Sequence, residues 1–259
     1  MPFITALYLV FLAAPIALLL VGSFGESWSN TLLPQGFTGR WYLQIWEDPT
    51  FRRAFLVSFQ VMAATCVLNI VVGYPLAYAI YATKHARLRF IARLAALMPI
   101  AAPELVLAFG FILAFSSDTL PWLGSFWLLV AAHLVLTLPY TVTTLVADMQ
   151  QLRLADYERI AASLGSGFAA RQRDVALPLV STSLTSALLT VAALSIGEFQ
   201  MSNLIAGFLS RTYPVVLLQA FYGATGFACA ATVVLLVLAT VASIASSLTA
   251  RFADLARAG

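Results

Sequence analysis

Two carboxylates stand inside long apolar stretches of the sequence, where a charged group is costly and therefore informative. Glu104 lies in MPIAAPELVLAFGF and Glu198 in ALSIGEFQMSN, whereas the other nine acidic residues fall in loops, at loop edges or in the tail. An ionised group at mid-membrane costs about 2.5–3.5 kcal/mol, so such groups usually face a cavity or a partner. We expect Glu104 and Glu198 to line a path that attracts a cation. The alternative is a neutral, hydrogen-bonded packing role for each, since burial favours the uncharged carboxyl group.

Further polar residues occur in the same apolar environment. Gln200 and Asn203 follow Glu198 closely. Amide side chains both donate and accept hydrogen bonds, so they suit a path for a polar solute, although helix packing fits them equally well. His133 stands alone in AAHLVLTLPY, and we expect it to bond a neighbouring helix rather than a metal ion.

The overall composition identifies the solvent around these segments. Of 259 residues, 61% are apolar and 10% are charged, whereas a soluble domain carries about 25% charged residues. So few charges could not cover a globule of this size, which excludes a water-soluble protein. The net charge of +3 comes from dispersed cations, which argues against nucleic-acid binding. Cys66 and Cys229 have no metal-binding or disulfide spacing.

Six apolar runs are long enough to cross a bilayer, which takes about 20 helical residues. They cover residues 3–24, 54–82, 94–115, 126–146, 179–208 and 227–248. No Lys or Arg precedes the first run, which exceeds the apolar part of a signal peptide, so we expect a retained helix. Pro99 and Pro103 predict a kinked backbone before Glu104. We therefore expect an all-α membrane protein with six transmembrane helices in a single domain, residues 1–259.

The cations divide unevenly between the two sides that six alternating helices create. Only Arg40, Arg52, Arg53 and Arg211 lie on one side. The other side carries Lys84, Arg87, Arg89, Arg93, Arg153, Arg159, Arg171, Arg173, Arg251 and Arg257. By the positive-inside rule we expect both termini in the cytoplasm, and the uneven split supports the count of six.

The longest connection on the cation-rich side, residues 148–178, carries the most specific pattern in the chain. Its apolar spacing predicts a short amphipathic helix that Gly165 ends, since glycine tolerates the left-handed turn after a helix. A second short helix follows, and Pro178 stands where the fifth span begins, a favoured position in a first helical turn. Small residues, including Ala161 and Ala162, would permit the close approach of a partner protein.

This segment resembles the EAA loop of permease subunits of type I ABC importers. The matching residues are Ala161, Leu164, Gly165, Val175, Leu177 and Pro178. Arg159 occupies the glutamate position of the motif, with Glu158 one residue earlier, and Thr182 replaces a common proline. The stretches GFTGRWY, AHLVLTLPY and SIGEF are similar to the spermidine/putrescine branch of this superfamily, which also takes in importers of ferric iron and aminoalkylphosphonates.

The resemblance implies a permease bundle with a cytoplasmic coupling helix between spans four and five. The residues it implicates in coupling to an ATPase are Glu158, Ala161, Ala162, Leu164, Gly165 and Pro178. It further implies a bacterial inner-membrane location, two ATPase subunits that bind ATP and Mg²⁺, a second and distinct permease, and an extracytoplasmic solute-binding protein. We expect no cofactor on this chain, since its sequence has no GxxxxGK[ST] phosphate-binding loop.

Two carboxylates on the path favour a polyamine or another organic cation as the solute, and leave ferric iron and 2-aminoethylphosphonate open. An intramembrane enzyme is the alternative of a different class. It would need a nucleophile–base pair or a metal cluster at membrane depth. The strong candidates for one are His133, Glu104 and Glu198, on three different spans and without an HExxH or GxSxG motif. A channel is the third alternative, which ATP-independent transport would reveal.

Overall fold

The structure, a computed structural model, describes residues 2–28 and 33–258, with side chains for 4–28, 33–241, 243 and 244. Helices dominate it, and a short antiparallel ribbon, β1 (Gly25–Ser27) with β2 (Gln35–Phe37), follows the first helix. The helices are α1 (Pro2–Ser23), α2 (Arg40–Glu47), α3 (Pro49–Leu68), α4 (Tyr74–Ala82), α5 (Ala86–Ala101), α6 (Glu104–Phe115), α7 (Phe126–Gln151), α8 (Leu154–Ser163), α9 (Phe168–Arg171), α10 (Leu177–Gly197), α11 (Gln200–Ile205), α12 (Tyr213–Ala220) and α13 (Thr225–Ala258).

Two π-helical turns join helices into longer rods. Asn69–Gly73 connects α3 to α4, and Gln172–Ala176 connects α9 to α10. A proline, Pro75 or Pro178, stands in the first turn after each of them. Because proline donates no backbone hydrogen bond and its ring crowds the preceding turn, a widened turn at this point accommodates it.

Four segments of the described chain are long and apolar enough to cross a membrane. They are Ile4–Ser23, Pro49–Ala82, Phe126–Gln151 and Phe168–Gly197. They overlap the first, second, fourth and fifth predicted spans. The apolar stretch Thr225–Val241 of α13 is shorter, and Arg251 and Arg257 of the predicted tail lie outside the described side chains. The count of six spans therefore stays a prediction.

The predicted third span, residues 94–115, is not one continuous helix, and whether it crosses as a span stays a prediction. α5 ends at Ala101, α6 begins at Glu104, and the two helices are bent by 102° relative to each other. Ala102 between them is extended, because the ring of Pro103 disfavours helical geometry in the preceding residue. The expected kink is a complete break, and Glu104 lies in the first turn after it.

The helices at the predicted fifth span, residues 179–208, have different bounds from those predicted. The helical rod already starts at Phe168 and ends at Gly197, and α11 is a separate short helix. Glu198 leaves the helical conformation with a ψ of 125°. Apolar residues flank this break on both sides, so hydropathy averaged over a membrane-length window does not reveal it.

Helix α7 carries a different apolar core on each of its two halves. Its second half packs with α4, the start of α8 and the start of α10, where Leu145, Met149 and Leu154 are fully buried. Its first half packs with α3, α6 and α11, where Leu129 and Met201 are fully buried. The α5–α6 and α10–α11 breaks both lie beside the middle of α7, between the two cores.

Candidate functional site

Glu198 lies at the α10–α11 break, and its buried carboxylate caps the start of α11. Oε1 accepts a hydrogen bond from the backbone N–H of Met201 at 2.6 Å. Oε2 accepts the N–H of Ser202 at 2.9 Å and also the Ser202 hydroxyl. The first N–H groups of a helix have no partner within the helix, so this carboxylate satisfies two of them and sits where the helix dipole favours negative charge.

His133 of α7 bonds both sides of the same break. Its side chain is buried, with 1% of its surface exposed. Nδ1 lies 2.8 Å from the hydroxyl of Ser195 on α10, and Nε2 lies 3.0 Å from the hydroxyl of Ser202 on α11. Nε2 is also 3.4 Å from Oε2 of Glu198. The expectation that His133 bonds neighbouring helices is confirmed.

A cavity of about 430 Å³ opens beside this cluster, and both helix breaks border it. The residues that line it include Pro99, Glu104, Thr137, Tyr140, Glu198 and Gln200. Three of the four predicted path residues therefore meet at one cavity. Asn203 is exposed on α11 but does not line it.

Glu104 and Glu198 differ in what their carboxylates contact. Glu198 accepts three hydrogen bonds, as described above. Glu104 is exposed and makes no hydrogen bond or ion pair with any residue that the structure describes. Glu104 therefore offers the cavity a carboxylate with unused acceptor capacity, and the hydroxyl of Tyr140 and the amide of Gln200 lie on the same lining. Among the described residues no group of three or more His, Cys, Asp or Glu side chains could hold a metal ion.

Sequence reasoning did not identify Ser195 and Ser202 as partners of this cluster. The signal in the sequence is weak: a serine three residues before Glu198 and another four residues after it, on either side of a glycine. Serine is common in membrane helices for many reasons. Only the fold, which brings His133 from 62 and 69 residues away, makes the pair meaningful.

Glu158 attaches α8 to the rest of the bundle. Its Oε1 accepts a 2.8 Å hydrogen bond from the hydroxyl of Tyr78 on α4 and a 3.0 Å bond from Nε2 of Gln172. Tyr74 donates in turn to Oε1 of Gln172 at 2.7 Å. The side chain of Glu158 thus faces the rest of the helical bundle. Sequence reasoning missed Tyr78, Gln172 and Tyr74 in this network.

The other face of this segment is apolar and exposed. We call the exposed side chains of Tyr157, Ile160, Leu164 and Phe168 the α8–α9 surface; Leu164 has 83% of its surface accessible. Ala162, Gly165 and Pro178 are also exposed, whereas Ala161 is partly buried. Gly165 has a φ of +86°, which confirms the predicted left-handed turn after α8. Arg159 pairs with Asp156 on its own helix.

The chain belongs to the family of binding-protein-dependent transport system inner membrane components, which it matches over residues 69–252. It is the permease of an ABC importer and an integral membrane protein. The order of its helices, the left-handed turn at Gly165 and the EAA-like segment agree with that membership.

Known relatives and solved structures agree with this assignment. PhnV of Salmonella typhimurium LT2, assigned to 2-aminoethylphosphonate transport, is 29% identical over 203 residues, covering 78% of this chain and 74% of that one. PotC of Escherichia coli K12, a spermidine/putrescine permease, is 26% identical over 253 residues, covering 96% and 92%. A bacterial alginate importer, solved with its alginate-bound periplasmic protein, has the same fold, with a TM-score of 0.74 at 15% identity over 96% of this chain and 91% of that chain.

Proposed function

We propose that this permease forms half of the translocation path for a small solute that carries an amino group, with the polyamines spermidine and putrescine as first candidates. The free carboxylate of Glu104 on the cavity is the observation that carries the proposal. An ammonium group donates hydrogen bonds and carries the complementary charge. Apolar lining such as Leu136 and Leu194 suits the methylene chain between the amines of a polyamine.

The other predicted path residues support the passage in different ways. Glu198 contributes negative potential from the cavity wall, because its hydrogen bonds leave its charge in place. Gln200 offers an amide at the cavity, and Asn203 is proposed to bind the solute further along α11, where its side chain is exposed.

The second candidate solute is 2-aminoethylphosphonate. It is favoured by the hydrogen bonds that already occupy the carboxylate of Glu198. The three hydrogen bonds to Glu198 leave Glu104 as the carboxylate of this pair with free acceptors. A single free carboxylate matches a solute with a single amine, and PhnV is among the relatives of this chain.

The α8–α9 surface is proposed to dock on an ATPase subunit as the coupling helix, together with Ala161, Ala162, Gly165 and Pro178. Exposed apolar side chains that form a continuous surface are typical of a site that a partner protein covers. Glu158 would serve coupling indirectly, by attaching α8 to α4.

The complete importer is proposed to contain two ATPase subunits, which bind ATP and Mg²⁺, a second and distinct permease, and an extracytoplasmic solute-binding protein. The alginate importer of the same fold was solved with such a periplasmic protein. In this arrangement the chain is a single six-span domain in the inner membrane of a bacterium. Its α8 segment and both termini face the cytoplasm.

Uptake by the reconstituted importer tests the assignment of the solute. Wild-type, Glu104→Gln and Glu104→Asp permeases are compared for uptake of labelled spermidine, putrescine and 2-aminoethylphosphonate, each with the cognate binding protein. Glu104→Gln should lower uptake of the true solute roughly 10- to 100-fold, since a hydrogen bond to a charged group contributes about 1.5–3 kcal/mol. Glu104→Asp keeps the charge and should retain most of the uptake.

Expression of each variant and its ATP hydrolysis are measured in parallel to exclude a loss of assembly. Uptake of an amine at the wild-type rate by Glu104→Gln would contradict the role of the carboxylate. Uptake without ATP would contradict the proposal that ATP hydrolysis by partner subunits drives transport.

A further inference from the structure

His133 makes hydrogen bonds that the proposed function does not use. It reaches from α7 to Ser195, the third residue before the break, and to Ser202, the third residue of α11. Residues 197–200, which form the break, line the cavity between these two contacts. One imidazole therefore connects both sides of the break to the same third helix.

The hydrogen bonds of this cluster run in one direction and end on Glu198. A neutral imidazole with its hydrogen on Nε2 satisfies every contact: the Ser195 hydroxyl donates to Nδ1, Nε2–H donates to the Ser202 oxygen, and the Ser202 hydroxyl donates to Oε2 of Glu198. In this arrangement the described polar side-chain atoms of His133, Ser195, Ser202 and Glu198 all have a partner. A half-satisfied buried network is costly. Removing the imidazole would leave the Ser195 hydroxyl without its side-chain partner and deprive the Ser202 oxygen of a donor, while the Ser202 hydroxyl still donates to Glu198.

The part of α7 that carries His133 is itself firmly supported. The hydroxyl of Thr137 donates to the backbone carbonyl of His133 at 2.7 Å and accepts from Nδ2 of Asn69 at 3.0 Å. Asn69 begins the π-helical turn between α3 and α4 and is fully buried. The imidazole is thus held by rigid elements, which is what a group that orients another group requires.

We propose that His133 is a positioning residue for transport: through Ser202 and Glu198 it holds the first turn of α11 against α7 and so sets the cavity wall at the α10–α11 break. This inference rests on the proposal that the cavity lies on the solute path. The consequence is that His133 and Glu198 act as one unit. His133 also borders the cavity, and its main effect on the solute passes through the positions of Glu198, Phe199 and Gln200.

Two replacements of His133 separate hydrogen bonding from packing. His133→Phe keeps a ring of similar size but no hydrogen bond, and His133→Gln keeps an amide that can donate to Ser202. In the reconstituted importer, His133→Phe should lower the maximal transport rate about tenfold. The apparent KM for the loaded binding protein should stay unchanged, because His133 is 1% exposed and therefore not available to a docking protein. His133→Gln should restore the rate to within about threefold of wild type.

A double-mutant cycle tests whether the effect passes through Glu198. If His133 acts by positioning that carboxylate, adding Glu198→Gln to His133→Phe should lower the rate less than twofold further, because residues that act as one unit are not additive. Glu104→Gln, which lines the same cavity from α6 but is not hydrogen-bonded to this cluster, serves as the comparison, and its effect should multiply with that of His133→Phe.

A readout without any solute separates failure of this inference from failure of the proposed function. Gln200→Cys, in a background with Cys66→Ala and Cys229→Ala that retains transport, places a thiol on the cavity wall. His133→Phe should change the rate at which maleimide labels this thiol at least fivefold, and His133→Gln should leave that rate unchanged. Full multiplicativity with Glu198→Gln, or labelling that His133→Phe leaves unchanged, would overturn the inference even where Glu104→Gln behaves as proposed.

Discussion

The hydroxyl of Tyr78 donates a 2.8 Å hydrogen bond to the carboxylate of Glu158, which joins α4 to α8 across 80 residues of sequence. Gln172, in the π-helical turn before α10, donates to the same oxygen. One side chain of α8 therefore connects the ends of two helical rods that are long and apolar enough to cross a membrane. A displacement of α8 by a partner would act on both of them, because hydrogen-bonded and packed elements move together.

Replacing Glu158 by Ala should loosen α8 without unfolding the bundle. The change leaves the Tyr78 hydroxyl and the Gln172 amide unpaired, at a cost of about 1–3 kcal/mol. Amide hydrogens of residues 154–163 should then exchange roughly 5- to 100-fold faster, as measured by mass spectrometry on the detergent-solubilised importer. Arg159→Ala is the matched control on the same helix, because the exposed pair of Arg159 with Asp156 contributes little. Equal exchange in Glu158→Ala and wild type would show that packing alone holds α8.

The sequence predicts most helical segments of this fold but not their interruptions. Apolar length locates the rods, because a bilayer requires about 20 apolar residues of any sequence. Pro103 predicts a kink between α5 and α6. The size of the bend, 102°, cannot be predicted from the proline, because it also depends on how α6 packs. The α10–α11 break follows no proline at all. Its stability comes from Glu198 capping α11, and from a histidine on another helix.

The sequence also predicts only part of the candidate site. Scarcity of charge singles out Glu104 and Glu198, and the fold brings both to one cavity. Glu198 is hydrogen-bonded and Glu104 is not, because the backbone N–H groups of Met201 and Ser202 lie at the start of α11 and are free to donate to Glu198. At Glu158, the sequence suggested a contact with a partner protein. The side chain instead faces Tyr78, since a helix has two faces and a motif does not say which one a given residue occupies.

Asn69→Leu should destabilise the contact between the second and fourth predicted spans. The buried amide donates to Thr137 at 3.0 Å and accepts from the Thr141 hydroxyl at 2.8 Å. Hydrogen bonds between membrane helices contribute about 0.6–2 kcal/mol each, so the unfolding midpoint in detergent should fall by a few degrees. Thr143→Val is the control, since this exposed hydroxyl bonds only the carbonyls of its own helix. A midpoint that Asn69→Leu leaves at the wild-type value would contradict the role given to this amide.

Gly207→Ala should disrupt the contact between the α6–α7 loop and the segment after α11. The N–H of Gly124 donates to the carbonyl of Ile205 at 3.1 Å, and a Cβ on Gly207 would come within 2.3 Å of the Gly124 oxygen. Relief of such crowding costs about 1–3 kcal/mol. Limited proteolysis should cut residues 116–125 faster in this variant than in wild type. Gly39→Ala, where a Cβ meets nothing within 4 Å, is the control and should leave the rate of cutting unchanged. Equal cutting in the Gly207 variant would mean that the two loops separate at no cost.

Leu164→Asp should uncouple ATP hydrolysis from transport. Leu164 is the most exposed side chain of the α8–α9 surface, so the fold of the permease itself loses almost nothing when it becomes polar. An apolar pocket on the ATPase would instead have to bury a carboxylate, which is strongly unfavourable. Stimulation of ATP hydrolysis by the loaded binding protein should fall at least tenfold, and the ATPase should dissociate more readily during purification. Leu164→Met keeps an apolar side chain of similar size and should preserve both properties. If Leu164→Asp retains full stimulation with the ATPase bound, the α8–α9 surface does not dock on the ATPase through this residue.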